Sequence, residues 1–171
     1  MNVTIICDAS YCPDTKVGGY GFWIASERGK RGGKGLIKVQ MESSLIAEMV
    51  AVCSSLHRAW QLSLIKPLDE VLLQTDCQSA IDIFEGKRGE RQGQQLIYVN
   101  HFKDCLEEFG ISVRFRHVKG HTNLTGARYY INRRCDKDAY EQMRIAREAV
   151  RSNLMENYKH DQPILEQIAE Y

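Results

Sequence analysis

Three β-type segments follow one another before any helical periodicity begins, and this order limits the possible folds most. Residues 2–10 (NVTIICDAS), 20–27 (YGFWIASE) and 36–40 (LIKVQ) are rich in β-branched and aromatic side chains. They are predicted to form an antiparallel meander, with RGKRGGKG (28–35) as its second turn. Helical spacing then takes over. Leu45, Met49, Val52, Leu56 and Trp60 mark a buried stripe over 43–60, with Ser43 or Ser44 as its cap. DEVLLQT (69–75) is apolar enough to lie inside a sheet, and QSAIDIF (78–84) reads as a short helix. A helix over 94–108 stops at Gly110, and ISVRFRHV (111–118) alternates as a fifth strand. The last helix is predicted from near Ile131 to about Arg151, with Ile131, Cys135, Ala139, Ala146 and Val150 inward. The order β-β-β-α-β-α-α-β-α, joined by right-handed crossovers, predicts an α/β fold. Its five-stranded mixed sheet has three antiparallel then two parallel strands, with helices on both faces.

The chain of 171 residues fits one domain, and its 43% apolar content can fill a core without disulfide or metal staples. It has no apolar run of about 18 residues, so no membrane partner is expected. Met1-Asn2-Val3-Thr4 lacks the basic start of a signal peptide. Six cysteines occur without any C-x-x-C pair. That excludes zinc-ribbon spacing and favours reduced core thiols in a cytoplasmic protein. Net charge is only +1, but residues 153–171 hold Glu156, Asp161, Glu166 and Glu170 against Lys159. The tail is therefore at −3 and residues 1–152 at +4, a mild excess that permits a polyanionic partner. Residues 1–152 are expected to be the working domain of a monomer. Residues 153–171 are expected to be a helical extension, with Asp161 and Pro163 as cap and first-turn residues. Its apolar residues either pack on the body or meet a protein partner, and packing is the simpler expectation.

Four acids fall in apolar settings. Asp8 follows Ile5, Ile6 and Cys7 near a strand end, where a turn amide or solvent could equally satisfy it. Glu48 lies at the edge of a helical stripe. Asp76 stands at the carboxyl end of a central strand, the edge where open α/β sheets bind ligands, but it could also cap the following helix. Asp136 borders the buried stripe of the last helix, where the helix N-terminus favours an acid anyway. One sheet can bring all four together. Clustered carboxylates repel unless compensated, and a hard divalent cation is the simplest compensation for oxygen ligands.

The segments carrying these acids resemble type 1 ribonuclease H. They are I-C-D-A-S (6–10) with G-G-Y-G-F (18–22), then S-S-L-I-A-E-M-V-A-V (43–52) and T-D-C-Q-S (75–79). H-V-K-G-H-T (117–122) and N-R-R-C-D (132–136) complete the set. The T-D-x-Q, V-K-G-H and N-x-x-x-D elements in this order are the specific part. The resemblance implies a three-layer ribonuclease H-like fold and a metal set of Asp8, Glu48, Asp76 and Asp136. It implies two Mg²⁺ ions, replaceable by Mn²⁺, about 4 Å apart across a scissile phosphate. The activity implied is endonucleolytic cutting of the RNA strand of an RNA–DNA hybrid, leaving 5′-phosphate and 3′-hydroxyl ends. His121 matches a mobile histidine that helps proton transfer or product release, with His117 as its nearby alternative, and Asp138 is the alternative to Asp136, disfavoured by the Asn132-x-x-x-Asp136 register. Ser10, Ser43, Ser44, Gln78 and Asn132 fall at or beside substrate-contacting positions.

The sequence departs from the family pattern in three places. NLTGARYY (123–130) lengthens the loop before Asp136, and serines replace the asparagines that usually open the 43–60 helix. A basic protrusion is reduced to GKRGERQG (86–93). Strand choice must come from 2′-hydroxyls, and the DNA strand is expected on Lys30, Arg31 and Lys34 or on Lys87, Arg88 and Arg91. Tyr20, Phe22 and Trp23 are expected to pack rather than stack on bases. The rival readings are a DNA-directed nuclease or strand-transfer enzyme of the same superfamily, and a non-catalytic hybrid-binding module.

Overall fold

The computed structural model describes residues 1–88, 93–120 and 125–152. Strands β1 (Asn2–Cys12), β2 (Val17–Ser26) and β3 (Gly29–Ile37) precede helix α1 (Ser44–Gln61). Then come β4 (Glu70–Thr75), α2 (Gln78–Phe84), α3 (Gly93–Phe109), β5 (Ser112–His117) and α4 (Ala127–Arg151). One five-stranded sheet forms in the order β3-β2-β1-β4-β5. Its first two pairings are antiparallel, and β1–β4 and β4–β5 are parallel, as predicted.

The predicted turn over 28–35 is wrong. The chain reverses at Glu27 and Arg28, and most of the supposed turn is β3. The glycines that look like turn residues serve packing instead. Gly35, Gly33 and Gly32 pair directly with Tyr20, Phe22 and Trp23 on β2. A Cβ at each would lie 2.7, 2.6 and 2.7 Å from the facing aromatic side chain, so the rings lie over bare backbone. The strand expected over 36–40 correspondingly ends at Ile37. At the other end of the chain, α4 begins at Ala127 rather than near Ile131, so part of the long loop is helix.

Three layers result. On one face Val3, Ile5, Cys7, Tyr20, Phe22, Ile24, Val71 and Leu73 join one core with residues of α1, α2 and α3. Met49, Val52 and Leu56 of the predicted stripe are fully buried in it. Truncating a side chain such as Leu56 to alanine would cost about 2–5 kcal/mol. Trp60 closes the far end by stacking on Phe109, with ring centroids 4.4 Å apart. On the other face, among the described residues, α4 packs over β1, β2 and β3. Its approach depends on Gly19 and Gly21 of β2. A Cβ at Gly19 would lie 2.5 Å from the Met143 nitrogen, and one at Gly21 would lie 2.4 Å from the Cys135 carbonyl oxygen. All six cysteines are free thiols. No helix among the described residues is long and apolar enough to cross a membrane. The predicted extension over 153–171 lies outside the described residues.

Candidate metal centre

The parallel ladder between β1 and β4 ends at Ile6 and Gln74. Asp8 and Asp76 each stand just beyond it, where the strands part at the junction of the antiparallel and parallel halves of the sheet. Such a junction is the usual ligand crevice of an open α/β sheet. Glu48 arrives from the second turn of α1, whose start is fixed by Ser43: the Ser43 hydroxyl accepts a hydrogen bond from the Ile46 backbone at 3.4 Å. Carboxylate oxygens of Asp8, Glu48 and Asp76 all lie within 4.8 Å of one another. The fourth acid, Asp136, follows Cys135 on α4. The Cys135 thiol donates to the Ile6 carbonyl at 3.6 Å, which ties that turn of the helix to β1.

Electrostatics in the cluster oppose three bare carboxylates side by side. Asp8 is 4% exposed. Burial, reinforced by Asp76 and then Asp136, pushes its carboxyl up to about 8, although the Ala9 amide donates to it at 2.9 Å. Burial and the neighbouring Asp8 and Asp76 likewise hold Glu48 well above the usual carboxylate range. Glu48 Oε2 is buried without a hydrogen-bond partner. Three close oxygen donors, one of them unsatisfied, suit a hard divalent cation.

Asp76 is fixed from several sides. It is not the cap of α2, because Cys77 holds that position and makes no side-chain cap bond. The Thr75 hydroxyl accepts from the Cys77 amide at 3.2 Å, and the Thr75 carbonyl accepts from Val118 at 2.9 Å. His117 Nε2 lies 2.9 Å from the Asp76 carbonyl oxygen. Gly120 approaches the carboxylate so closely that a Cβ there would lie 2.1 Å from Asp76 Oδ2.

The other predicted site residues are spread around this centre. Ser10 follows Asp8 on β1 and pairs with Gly19. Ser44 is the exposed first residue of α1, and Gln78 the exposed first residue of α2, donating to Asp82 at 2.8 Å. Asn132 sits one turn before Asp136 but is only 4% exposed, with Oδ1 buried and unpartnered. It faces inward rather than outward to a substrate. His121 lies outside the described residues, as does Arg91. Lys34 is committed to Glu141 at 2.5 Å and Asp138 at 3.7 Å, and Lys87 to Glu85 at 2.5 Å. Sequence reasoning missed Gly21 and Gly120. The alternating Gly19 and Gly21 within an otherwise bulky strand were the available signal for the first, and the V-K-G-H motif held the second without showing what it packs against.

Comparison with known proteins agrees with this geometry. The RNase H family model matches residues 1–144. Among solved structures, RNase H1 from the halophilic archaeon Halobacterium salinarum superposes with a TM-score of 0.66 at 17% identity, covering 85% of this chain and 99% of that one. The N-terminal RNase H domain of a Mycobacterium tuberculosis protein gives 0.65 at 16%, covering 87% and 98%. LC11-RNase H1 in complex with an RNA/DNA hybrid gives 0.65 at 16%, covering 84% and 98%. At such identities the structures establish the shared fold. No curated protein sequence matches the chain.

Proposed function

The chain belongs to the RNase H family, and on that premise we propose that it is a metal-dependent endoribonuclease that cuts the RNA strand of RNA–DNA hybrids. The observation that carries this reading is the trio Asp8, Glu48 and Asp76, with oxygens within 4.8 Å and one Glu48 oxygen left unsatisfied. A protein with no use for a cation gains nothing from desolvating like charges together. Asp8, Glu48 and Asp76 would hold one divalent cation, and Asp8 with Asp136 a second. When bound, the pair would activate a water for in-line attack and stabilise the leaving 3′-oxygen, giving 5′-phosphate and 3′-hydroxyl ends. Mg²⁺ is the expected ion, with Mn²⁺ as substitute.

The chain's own groups do the remaining work. Asp8 is rigid because it sits within a paired strand, and Glu48 because α1 is buried along most of its length. The hydroxyls of Ser10, Ser43 and Ser44 and the amide of Gln78 are the proposed readers of 2′-hydroxyls. Asn132 is proposed to act from beneath Asp136, given its burial. His121 takes the proton-transfer or product-release role from its V-K-G-H context. A hybrid is the bound partner in the LC11-RNase H1 structure, and the same substrate is proposed here. A cytoplasmic monomer completes the reading.

The test uses an end-labelled hybrid with Mg²⁺ or EDTA, the unaltered chain, and Asp8→Asn and Asp136→Asn variants. Magnesium-dependent cutting of the RNA strand alone, reduced at least ~100-fold in both variants, is expected. Cutting of duplex DNA but not hybrid would transfer the chain to the DNA-directed branch of the superfamily. Binding of hybrid without cutting, in Mg²⁺ or Mn²⁺, would make it a binding module.

A further inference from the structure

We propose that His117 is a positioning residue for Asp76, holding the third acid of the metal set through that residue's backbone carbonyl. The inference rests on the nuclease reading above, which assigns Asp76 to the metal.

The parallel β4–β5 ladder runs from Glu70 and Ser112 to Thr75 and His117. Val118 makes the last main-chain bond of this edge, donating to the Thr75 carbonyl at 2.9 Å. One residue later β4 turns into α2, and β5 leaves the sheet. The carbonyl of the next residue, Asp76, lies beyond the paired ends of these strands. The His117 side chain meets it, with Nε2 at 2.9 Å. A carbonyl oxygen only accepts, so Nε2 carries the hydrogen and the imidazole donates.

The consequence is local but falls on the metal site. Asp76 lies between the end of β4 and the start of α2, and the peptide plane it shares with Cys77 is held at the Cys77 amide by the Thr75 hydroxyl at 3.2 Å and at the Asp76 carbonyl by His117. Two restraints act on its two ends. His117 takes the carbonyl, and Gly120 closes against the carboxylate, where a Cβ would lie 2.1 Å from Oδ2. Both belong to the segment leaving β5, so that segment grips Asp76 from main chain to side chain. His117 is itself exposed and packs in no core, so its conformation matters through this bond. Groups that orient metal ligands commonly change metal affinity or turnover by about 10–100-fold when removed.

The test compares His117→Leu and His117→Gln with the unaltered full-length chain. Metal binding is read without activity, as the shift of the melting temperature with added Mn²⁺ or Mg²⁺, and kcat and KM are read on an RNA–DNA hybrid. His117→Leu is expected to weaken the metal response and kcat by roughly 10-fold. KM and the melting temperature in EDTA should stay near those of the unaltered chain. His117→Gln, whose side-chain amide can donate to the same carbonyl, should recover most of the loss. Equal metal response and kcat in His117→Leu would overturn the proposal, as would a glutamine variant no better than leucine. A fall in the EDTA melting temperature that accounts for the whole effect would also overturn it. If the unaltered chain responds to neither metal, the nuclease reading fails and this inference with it. A normal metal response that His117→Leu leaves unchanged removes the inference alone.

Discussion

Gly21 admits the Cys135 carbonyl to the surface of β2, at a place where a Cβ would lie 2.4 Å from that oxygen. The same glycine is the cross-strand partner of Asp8. The residue that lets α4 touch the sheet is thus the neighbour of the first acid, and the next residue on the helix is the fourth, Asp136. A bare backbone atom in β2 therefore sets how near the two acids come. Gly21→Ala is expected to cost about 1–3 kcal/mol, because the opposing atom is helix backbone and cannot swing aside. The same change should lower kcat on hybrid through displacement of Asp136, with KM little altered. Urea denaturation and single-turnover cleavage together check this. A variant with lost stability but full kcat would show that α4 can shift without moving its acid.

The metal-free protein should lose stability as pH rises. Asp8 is raised to about 8 and Glu48 is also raised, so between pH ~4 and ~8 the folded chain holds protons that the unfolded chain has released. Stability therefore declines across that window as the folded carboxyls are forced to ionise beside one another. Melting in EDTA across this range should show the decline, and Asp8→Asn should flatten it. Added Mn²⁺ should reverse it, since cation binding favours the ionised acids and stabilises the folded state by mass action. A profile unchanged by Asp8→Asn would place the pH dependence elsewhere.

A second carboxylate responds in the opposite sense. Asp69 accepts from Arg28 and the Lys66 amide and lies 3.3 Å from the Met1 amine, tying the β2–β3 turn and the chain start to the entry of β4. The Arg28 guanidinium, ahead of the other partners, holds its carboxyl at about 2. The stability it contributes is fully present above pH ~4 and is lost as pH falls towards about 2. Asp69→Asn should lower the melting temperature at neutral pH, and the difference should close over that acid range. Parallel melting curves at both ends of the range would count against the ion pair as its cause.

The strand order, the helix stripes and the grouping of Asp8, Glu48 and Asp76 were legible in the sequence because they rest on local periodicity and on residue type along strands and helices. Asp136, expected in the first turns of the last helix, lies well inside α4. The β2–β3 connection was not legible, because a glycine inside a strand and a glycine in a turn look the same until the facing ring is known. Gly32, Gly33 and Gly35 make sense only beside Trp23, Phe22 and Tyr20 on another strand. Asn132 shows the same limit. Its spacing from Asp136 placed it at the site, but spacing alone could not say that its side chain turns inward. His117 stood in the motif as a substitute for His121, and only the folded structure brings it to the carbonyl it meets.

The two basic clusters should behave differently towards nucleic acid. Lys34 pairs with Gly21, which in turn pairs with Asp8, so it sits on the same rung of the sheet as the first acid. With strands about 4.8 Å apart, the two backbones are only ~10 Å from each other. Proximity alone would make Lys34 a phosphate contact. Its ammonium is, however, already shared between Glu141 and Asp138, and both acids would have to be left behind to reach a phosphate. Arg88 is exposed on the loop after α2. Arg88→Ala should weaken hybrid binding and reduce the slope of log affinity against log salt by roughly 1. Lys34→Ala should leave that slope unchanged. Fluorescence anisotropy of a labelled hybrid at several salt concentrations, with Ca²⁺ replacing Mg²⁺ to prevent cutting, separates the two. The reverse pattern would move the DNA strand to the β3 side of the molecule.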